Sequence, residues 1–416
     1  DDGPKTLHDL SWEGVHGNPE PPPTYARHMP SDEVARPDLG PAALEALFGK
    51  ELAEAYASLG CFNLAIFGKT GAGKSTLLNA IFGAEVAATG VGRPVTKGLI
   101  YYRHPDAFLG IFDSEGFETG TSGDVILRGL QELVSARASA PIDQRIHAVW
   151  YAVRWSDRRF EQAQQDFVCR IAELGLPIIV VITQVPFRNG TPHPEAVEFA
   201  DFITQCSLPI HPERRPVLTN AVSDEFTDSP VAGLHELLDV TYAIVPEAVE
   251  GALTAAQRLD LERKKKAVAA VIRQAVAVAS GVGAAPIPFA DAALLVPNQV
   301  TMIARITAAY GLPASTSRTM AIAGSVVLTG GATMAGRYAV TNLLKFVPGG
   351  QIAGSAISAT VAAALTKAVG VAWSRVCEYA LSMDPEQRET FLSSGAVSEA
   401  FRGFMRRSDD GVSVAP

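Results

Sequence analysis

Residues Gly68 to Ser75 read GKTGAGKS, a full match to the pattern G-x-x-x-x-G-K-[ST], between an apolar run, CFNLAIF, and a helix-forming stretch, STLLNAIFG. A strand, a glycine turn and a helix in that order bring several backbone N–H groups to one point, where the helix N-terminus adds partial positive charge. A polyphosphate fits there. Lys74 is placed to bridge β and γ phosphates, and the hydroxyl of Ser75 to take one position on Mg2+. The ligand expected of such a loop is a nucleoside triphosphate.

A second group of residues belongs to the same chemistry. Ile111 to Glu118 reads IFDSEGFE at the end of an apolar strand, about 40 residues after the P-loop. Asp113 is positioned as the metal-side acid, and the backbone N–H of Gly116 as a donor to a γ-phosphate. D-x-x-G alone is common, so its placement carries the reading. Between the two motifs lies GRPVTKG (92–98), where Thr96 is either a third oxygen for Mg2+ that closes over the γ-phosphate or an ordinary pre-strand threonine.

These residues resemble the translation-factor-class GTPases, the broad group that contains Era-like, septin-like and immunity-related GTPases. The resemblance covers about 61–245 and rests on GKTGAGKSTLLNAIFG, the Thr96 segment and DSEG. It implies that Gly71, Gly73, Lys74, Ser75 and Thr76 bind the phosphates of GTP or GDP, with Lys69, Thr70 and Ala72 completing the loop. Mg2+ would be held by Ser75, Thr96 and Asp113. Lys74, Thr96, Glu115 and Gly116 would act in hydrolysis.

Two positions depart from the family pattern. Where the family reads guanine with N/T-K-x-D, this chain has Thr183-Gln184-Val185-Pro186, so the carboxylate that pairs with the guanine N1–H and amine is missing. Gln184 can stack its stem on a base, and Thr219-Asn220-Ala221 falls where the last guanine loop belongs, so Thr183, Gln184, Asn220 and Ala221 are the expected base contacts. GTP is the expected ligand, with purine selectivity open. Phe117 follows D-x-x-G where Ras-type switches carry a water-orienting glutamine, so intrinsic turnover is expected to be slow. Glu115, Glu118, a charge from Arg158 or Arg159, or a partner subunit could compensate. Relatives that pair across the nucleotide make a nucleotide-dependent homodimer an expectation.

The elements that must position these groups can be read from periodicity. At 416 residues the chain suggests two domains. Strands are expected near 61–67, 97–103, 108–113, 146–153, 177–183 and 215–219, and helices near 74–82, 124–139, 158–174, 194–206 and 231–245. That gives an α/β nucleotide domain with a mainly parallel sheet covered on both faces, ligands lying at the carboxyl ends of the strands. A Pro-rich arm (1–40) and a leading helix (41–59) precede it. Past a boundary near Glu250 the strand signals cease, and an all-α, Ala/Gly-rich region runs to 383, followed by a tail with two short helices (384–416). Within the helical region Pro286 and Pro288 break one helix, Asp291 caps the next and Gly311 stops it.

APIPFADAALLVPNQVTMIARITAAYGL resembles the C-terminal domain of YcjF-like proteins, over about 263–380, through PIPFAD, Gln299, Met302 and Tyr310-Gly311. This resemblance implies membrane association and no reaction. Three uncharged windows, 274–290, 319–336 and 346–366, approach the ~20 residues that span a bilayer. Their many Gly, Ser and Thr residues favour a compact bundle at the membrane periphery, with transmembrane hairpins as the alternative. Arg263 to Lys266 (RKKK) reads either as a contact with anionic headgroups, worth roughly 1 kcal/mol per basic residue, or as a solvated helix face.

Composition bounds the rest. The net charge of −9 gives no reason to expect a nucleic-acid partner, and the four scattered cysteines read as reduced thiols. The eight histidines fall at no metal-ligand spacing, and DDGPKTLHDL is no signal segment. A cytoplasmic protein, peripheral to or conditionally inserted in the inner membrane, is expected. The functional expectation is a GTP-hydrolysing switch acting on its helical domain. The alternatives are a slowly hydrolysing nucleotide-bound scaffold and a dynamin-like membrane remodeller, for which the sequence shows no stalk heptads.

Overall fold

The computed structural model describes residues 41–83, 93–96, 99–104, 108–114, 123–282, 290–313 and 359–410. Helix α1 (Pro41–Leu59) leads into strand β1 (Phe62–Phe67), which is buried at every position. A strand buried on both faces can lie only in the interior of a helix-covered sheet. Phe62, Leu64 and Ile66 point into one core, Ala65 and Phe67 into the other.

The sheet has seven strands in the order β2-β3-β4-β1-β5-β6-β9. Strands β4 (Leu109–Ser114), β1, β5 (Ala148–Arg154), β6 (Ile178–Thr183) and β9 (Val217–Leu218) run parallel, while β2 (Arg93–Thr96) and β3 (Leu99–Arg103) add an antiparallel edge. On one face lie α2 (Lys74–Phe82), α6 (Leu234–Ile244) and α7 (Glu247–Ala256); on the other lie α3 (Gly123–Ala136), α4 (Gln162–Glu173) and α5 (Pro194–Gln205). The chain leaves β1 for β4 on one side and β5 on the other, so the crevice beyond the end of β1 is a topological switch point, where doubly wound sheets bind ligands.

Thr96, expected just ahead of a strand at 97–103, ends a separate strand, β2. The helix expected from 158 starts at Gln162, because Trp155–Asp157 forms a 3-10 turn and Arg158 takes a left-handed φ of 47°. A hairpin missed in the sequence, β7 (Phe187–Arg188) and β8 (Thr191–Pro192), turns through Asn189-Gly190, both at positive φ, the Asn-Gly signature of a tight hairpin.

Beyond the sheet, α8 (Leu261–Val282), α9 (Ala290–Tyr310) and α10 (Ala359–Leu381) pack on one another. A Cβ at Gly370 would lie 2.8 Å from Ile272 Cγ1 and 3.0 Å from Met302 Sδ, so glycine lets the three helices close up. Buried Trp373 donates its Nε1–H to Thr307 Oγ1 at 3.0 Å. The tail forms α11 (Pro385–Leu392), capped by Asp384, and α12 (Ala396–Asp410). Gly311, at φ 68°, ends α9 as expected, but α9 already begins at Ala290, so Asp291 lies inside its first turn instead of ahead of it.

Helix α1 packs mainly on α9, and one apolar cluster runs from α1 through the sheet face into α8–α12. The described residues accordingly form one compact unit, with α7 spanning position 250.

Within the basic run at 263–266, Lys264 alone is buried, Arg263 and Lys265 are half-buried and ion-paired, and Lys266 is exposed. Arg263 stacks over the Tyr242 ring at 3.9 Å and pairs with Asp239 and Asp260. Lys264 is 1% exposed, its Nζ donating to the carbonyls of Ala255 (2.9 Å) and Tyr310 (3.1 Å). Lys265 pairs with Glu262 and Glu378. Periodicity could not reveal this, since two helix C-termini from distant segments converge on Lys264.

Among the described residues, no helix is long and apolar enough to cross a membrane. Window 319–336 lies outside those residues, as do Pro286, Pro288 and most of 346–366.

Candidate functional site

The P-loop leaves β1 at Gly68, whose φ of 144° and missing Cβ let it pass over β5; a Cβ there would sit 2.3 Å from the Ala152 carbonyl. Gly71 and Gly73 follow at φ 78° and 82°, a left-handed conformation natural to glycine, and Gly73 is the N-cap of α2. Such a turn exposes successive N–H groups on its inner side. Lys74 folds its Nζ back onto the carbonyls of Gly68 (2.9 Å) and Lys69 (3.4 Å), holding its ammonium against the loop. The first-turn residues Ser75 and Thr76 are exposed.

The expected base-side residues are tied to this loop. Thr183, at the end of β6, donates its hydroxyl to the carbonyl of Ala72 at 2.7 Å. Gln184, at a left-handed φ of 60°, donates from Nε2 to the carbonyl of Gly71 at 3.0 Å. A cleft of about 230 Å3 opens beside them, lined by Gly73, Thr76, Leu77, Thr183, Gln184 and the run Asn220 to Val222. It therefore collects all four base-side residues expected from sequence, plus Leu77 and Val222, which gave no sequence signal. Asn220 is largely spoken for: its Nδ2 donates to Pro230 O and Ser229 Oγ, pinning the loop after β9. Among the described residues, the lining contains no carboxylate.

Asp113, expected as the metal-side acid, sits near the end of β4, in register with Ile66 of β1, one residue before the P-loop strand ends. Thr96 ends β2 opposite Leu99; its side chain, and residues Glu115 to Glu118 with the Gly116 amide, lie outside the described residues. The hydroxyl of Ser75 and the carboxylate of Asp113 are the hard oxygen donors that Mg2+ prefers, so the residues present fit that ion. Arg158, considered as a charge for the phosphates, is paired with Glu195 and stacked over Trp155 at 5.6 Å. Lys69 pairs with Glu161, which caps α4.

Comparison with known families decides the class. Residues 63–184 match the model described as 50S ribosome-binding GTPase, and residues 250–394 match a domain of unknown function, DUF697. The chain joins a P-loop GTPase domain to a DUF697 domain. The first match takes in the P-loop, Asp113 and Thr183-Gln184; the second begins within α7 and ends beyond α11.

Among solved structures, the chain is similar to Era from Aquifex aeolicus bound to GDP·AlF4−, at 21% identity and a TM-score of 0.30, over 45% of this chain and 58% of that one. A bacterial selenocysteine-specific elongation factor, EF-Sec, is matched at 16% identity and a TM-score of 0.27, over 44% and 28%. The small COPII coat GTPase SAR1 from Encephalitozoon cuniculi, in complex with GDP, is matched at 16% and 0.27, over 49% and 89%. The chain thus spans a little over half of the Era chain. These likenesses are too weak to add to the strand order described above. None of the curated proteins compared with the chain matches it.

Proposed function

We propose that the protein binds GTP with Mg2+, hydrolyses it slowly to GDP and phosphate, and uses the difference between the two states to alter its helical domain. The observation that carries this reading is the cleft at Thr183, Gln184 and Asn220 to Val222, hydrogen-bonded to the same loop that presents Lys74 and Ser75. A purine in the cleft and a triphosphate along the loop would be bound by one connected surface.

In this reading the loop amides and Lys74 hold the β and γ phosphates, and Ser75 and Asp113, with Thr96, hold Mg2+. The ion would offset charge on the phosphate oxygens when bound. Attack of water on the γ-phosphorus breaks its bond to the β–γ bridging oxygen, and the Gly116 amide and Glu115 act at the γ end. Phe117 offers no hydrogen bond to that water, which supports slow turnover unless a second copy completes the site. Closure of the segments around Thr96 and Gly116 on the γ-phosphate would be the switching event.

A second reading is favoured by Pro186 standing where the base-reading aspartate would be, with no carboxylate among the described residues of the cleft lining: a scaffold with relaxed purine choice that holds nucleotide and barely turns it over. GTP and ATP affinity and turnover, measured side by side, separate the two. Peripheral association with a membrane in the cytoplasm, and a nucleotide-dependent homodimer, belong to the proposal as partner readings. Co-sedimentation with anionic vesicles and light scattering in the GDP and GTP-analogue states test them. The burial of Lys264 within the fold leaves Arg263, Lys265 and Lys266 as the basic residues that such vesicles would test.

A further inference from the structure

We propose that the turn Gln257–Asp260, with Arg258 at its centre, transmits the nucleotide state from the far end of α2 to the helical domain; the proposal rests on the switch reading above. Helix α2 starts at Lys74 and Ser75, the phosphate-side residues, and ends at Phe82. Its end is held by Arg258 in two ways. The Arg258 backbone N–H donates to the carbonyl of Ile81 at 2.8 Å. Its guanidinium lies against the bare Cα of Gly83, where a Cβ would come within 2.5 Å of Cζ and Nη1.

The turn is built to move as a piece. Gln257 is fully buried; its Nε2 donates to the Asp260 carbonyl (2.8 Å) and its Oε1 accepts from the Asp260 N–H (2.7 Å). Asp260 then caps α8 by accepting from the Arg263 N–H at 2.8 Å. One turn further, the buried amine of Lys264 reaches back to the carbonyls of Ala255 and Tyr310, near the ends of α7 and α9. Gly311 closes the junction: a Cβ there would lie 2.1 Å from the Ala255 oxygen.

A shift of the end of α2 therefore cannot be absorbed within the turn. It must carry the end of α7, the start of α8 and the end of α9 together, because close-packed contacts rearrange between discrete arrangements instead of stretching. The route runs along α2, from the P-loop to the turn at Arg258.

Hydrogen exchange on the full chain, with GDP and with a non-hydrolysable GTP analogue, tests it. In the unaltered protein, exchange in 261–310 and at the Arg258 amide should differ between the two nucleotides. In Arg258→Ala, analogue affinity should stay within about twofold, as expected for a site away from the ligand, while the difference in 261–310 falls by more than half. An Arg258→Ala protein that keeps the full difference overturns the route. If that variant does not fold, the Arg258 amide of the unaltered protein decides: identical exchange in both nucleotides, beside a difference in 261–310, overturns it equally. Analogue binding with no difference anywhere in 261–310 defeats both the route and the switch reading, whereas failure to bind nucleotide defeats the switch reading at its root.

Discussion

Thr183 Oγ1 donates to the carbonyl of Ala72 at 2.7 Å, joining the end of β6 to the middle of the P-loop across 111 residues of chain. The bond fixes the loop after β6 in register with the P-loop. Replacing a buried hydroxyl by a methyl removes about 1 kcal/mol and leaves a carbonyl without its donor. Thr183→Val should therefore weaken nucleotide binding about five- to tenfold, while Thr183→Ser should stay near the unaltered value. Titration calorimetry with GDP checks both, and equal affinities for all three proteins would show that the tie is incidental.

Gly68 is the position where the P-loop tolerates no side chain. A Cβ would meet the Ala152 carbonyl at 2.3 Å, and the φ of 144° is one that other residues rarely adopt. Gly68→Ala should destabilise the fold by about 2–4 kcal/mol and abolish measurable nucleotide binding. Denaturant titration paired with a fluorescent-nucleotide assay reads the two losses, and the substitution is harmless if both are unchanged.

Lys264 gives the fold a distinctive alkaline response. Burial pushes its amine down to about 7, with the nearby Arg258 charge adding to the effect. The neutral amine has two N–H donors for its two carbonyl partners, while the ammonium carries a third proton for which neither offers a place. Between pH 7 and the usual lysine range near 10.5, the unfolded chain holds a proton that the folded chain does not, so stability rises with pH across that window. The difference in unfolding free energy between the unaltered protein and Lys264→Met should grow by roughly 1 kcal/mol per pH unit from 7 to 9. A difference independent of pH would mean that the amine stays charged in the fold.

His147 makes the opposite end of the sheet sensitive to acid. Its Nδ1 accepts from the Asn63 N–H at 2.9 Å, which leaves Nε2–H to donate to the Ile142 carbonyl at 2.6 Å. Burial lowers its pKa, outweighing the Ile142 carbonyl and the Asp143 charge, which favour the protonated form. The unfolded chain then binds the proton first, so stability is present above about pH 6.5 and declines as pH falls through the lowered folded value. His147→Gln should lose less stability between pH 7 and pH 5 than the unaltered protein, as urea midpoints would reveal. Parallel losses would place the acid sensitivity elsewhere.

The parts of this structure that were legible in sequence are those specified locally. Gly68 to Ser75 encodes its own backbone path, and the apolar runs of β1, β5 and β6 are long enough to identify interior strands. Thr183, Gln184, Asn220 and Ala221 were found through resemblance, and the cleft brings them together. What the sequence hid depends on distant partners. Val222 and Leu77 line the cleft only because β9 ends beside α2. Lys264 lies in a run of four basic residues, and only the meeting of α7 and α9 turns its side chain inward. The strand character of Arg93–Thr96 comes from pairing with β3, which a short run with a proline does not announce.

The central claim is that the cleft and the P-loop together bind and turn over GTP. Affinity and turnover for GTP and ATP, measured side by side with Lys74→Ala as the control, test it most directly. The expected result is GTP binding that Lys74→Ala abolishes, with slow but measurable release of phosphate from GTP in preference to ATP. Equal affinity for both purines, or tight binding with no turnover, would contradict it and favour the scaffold.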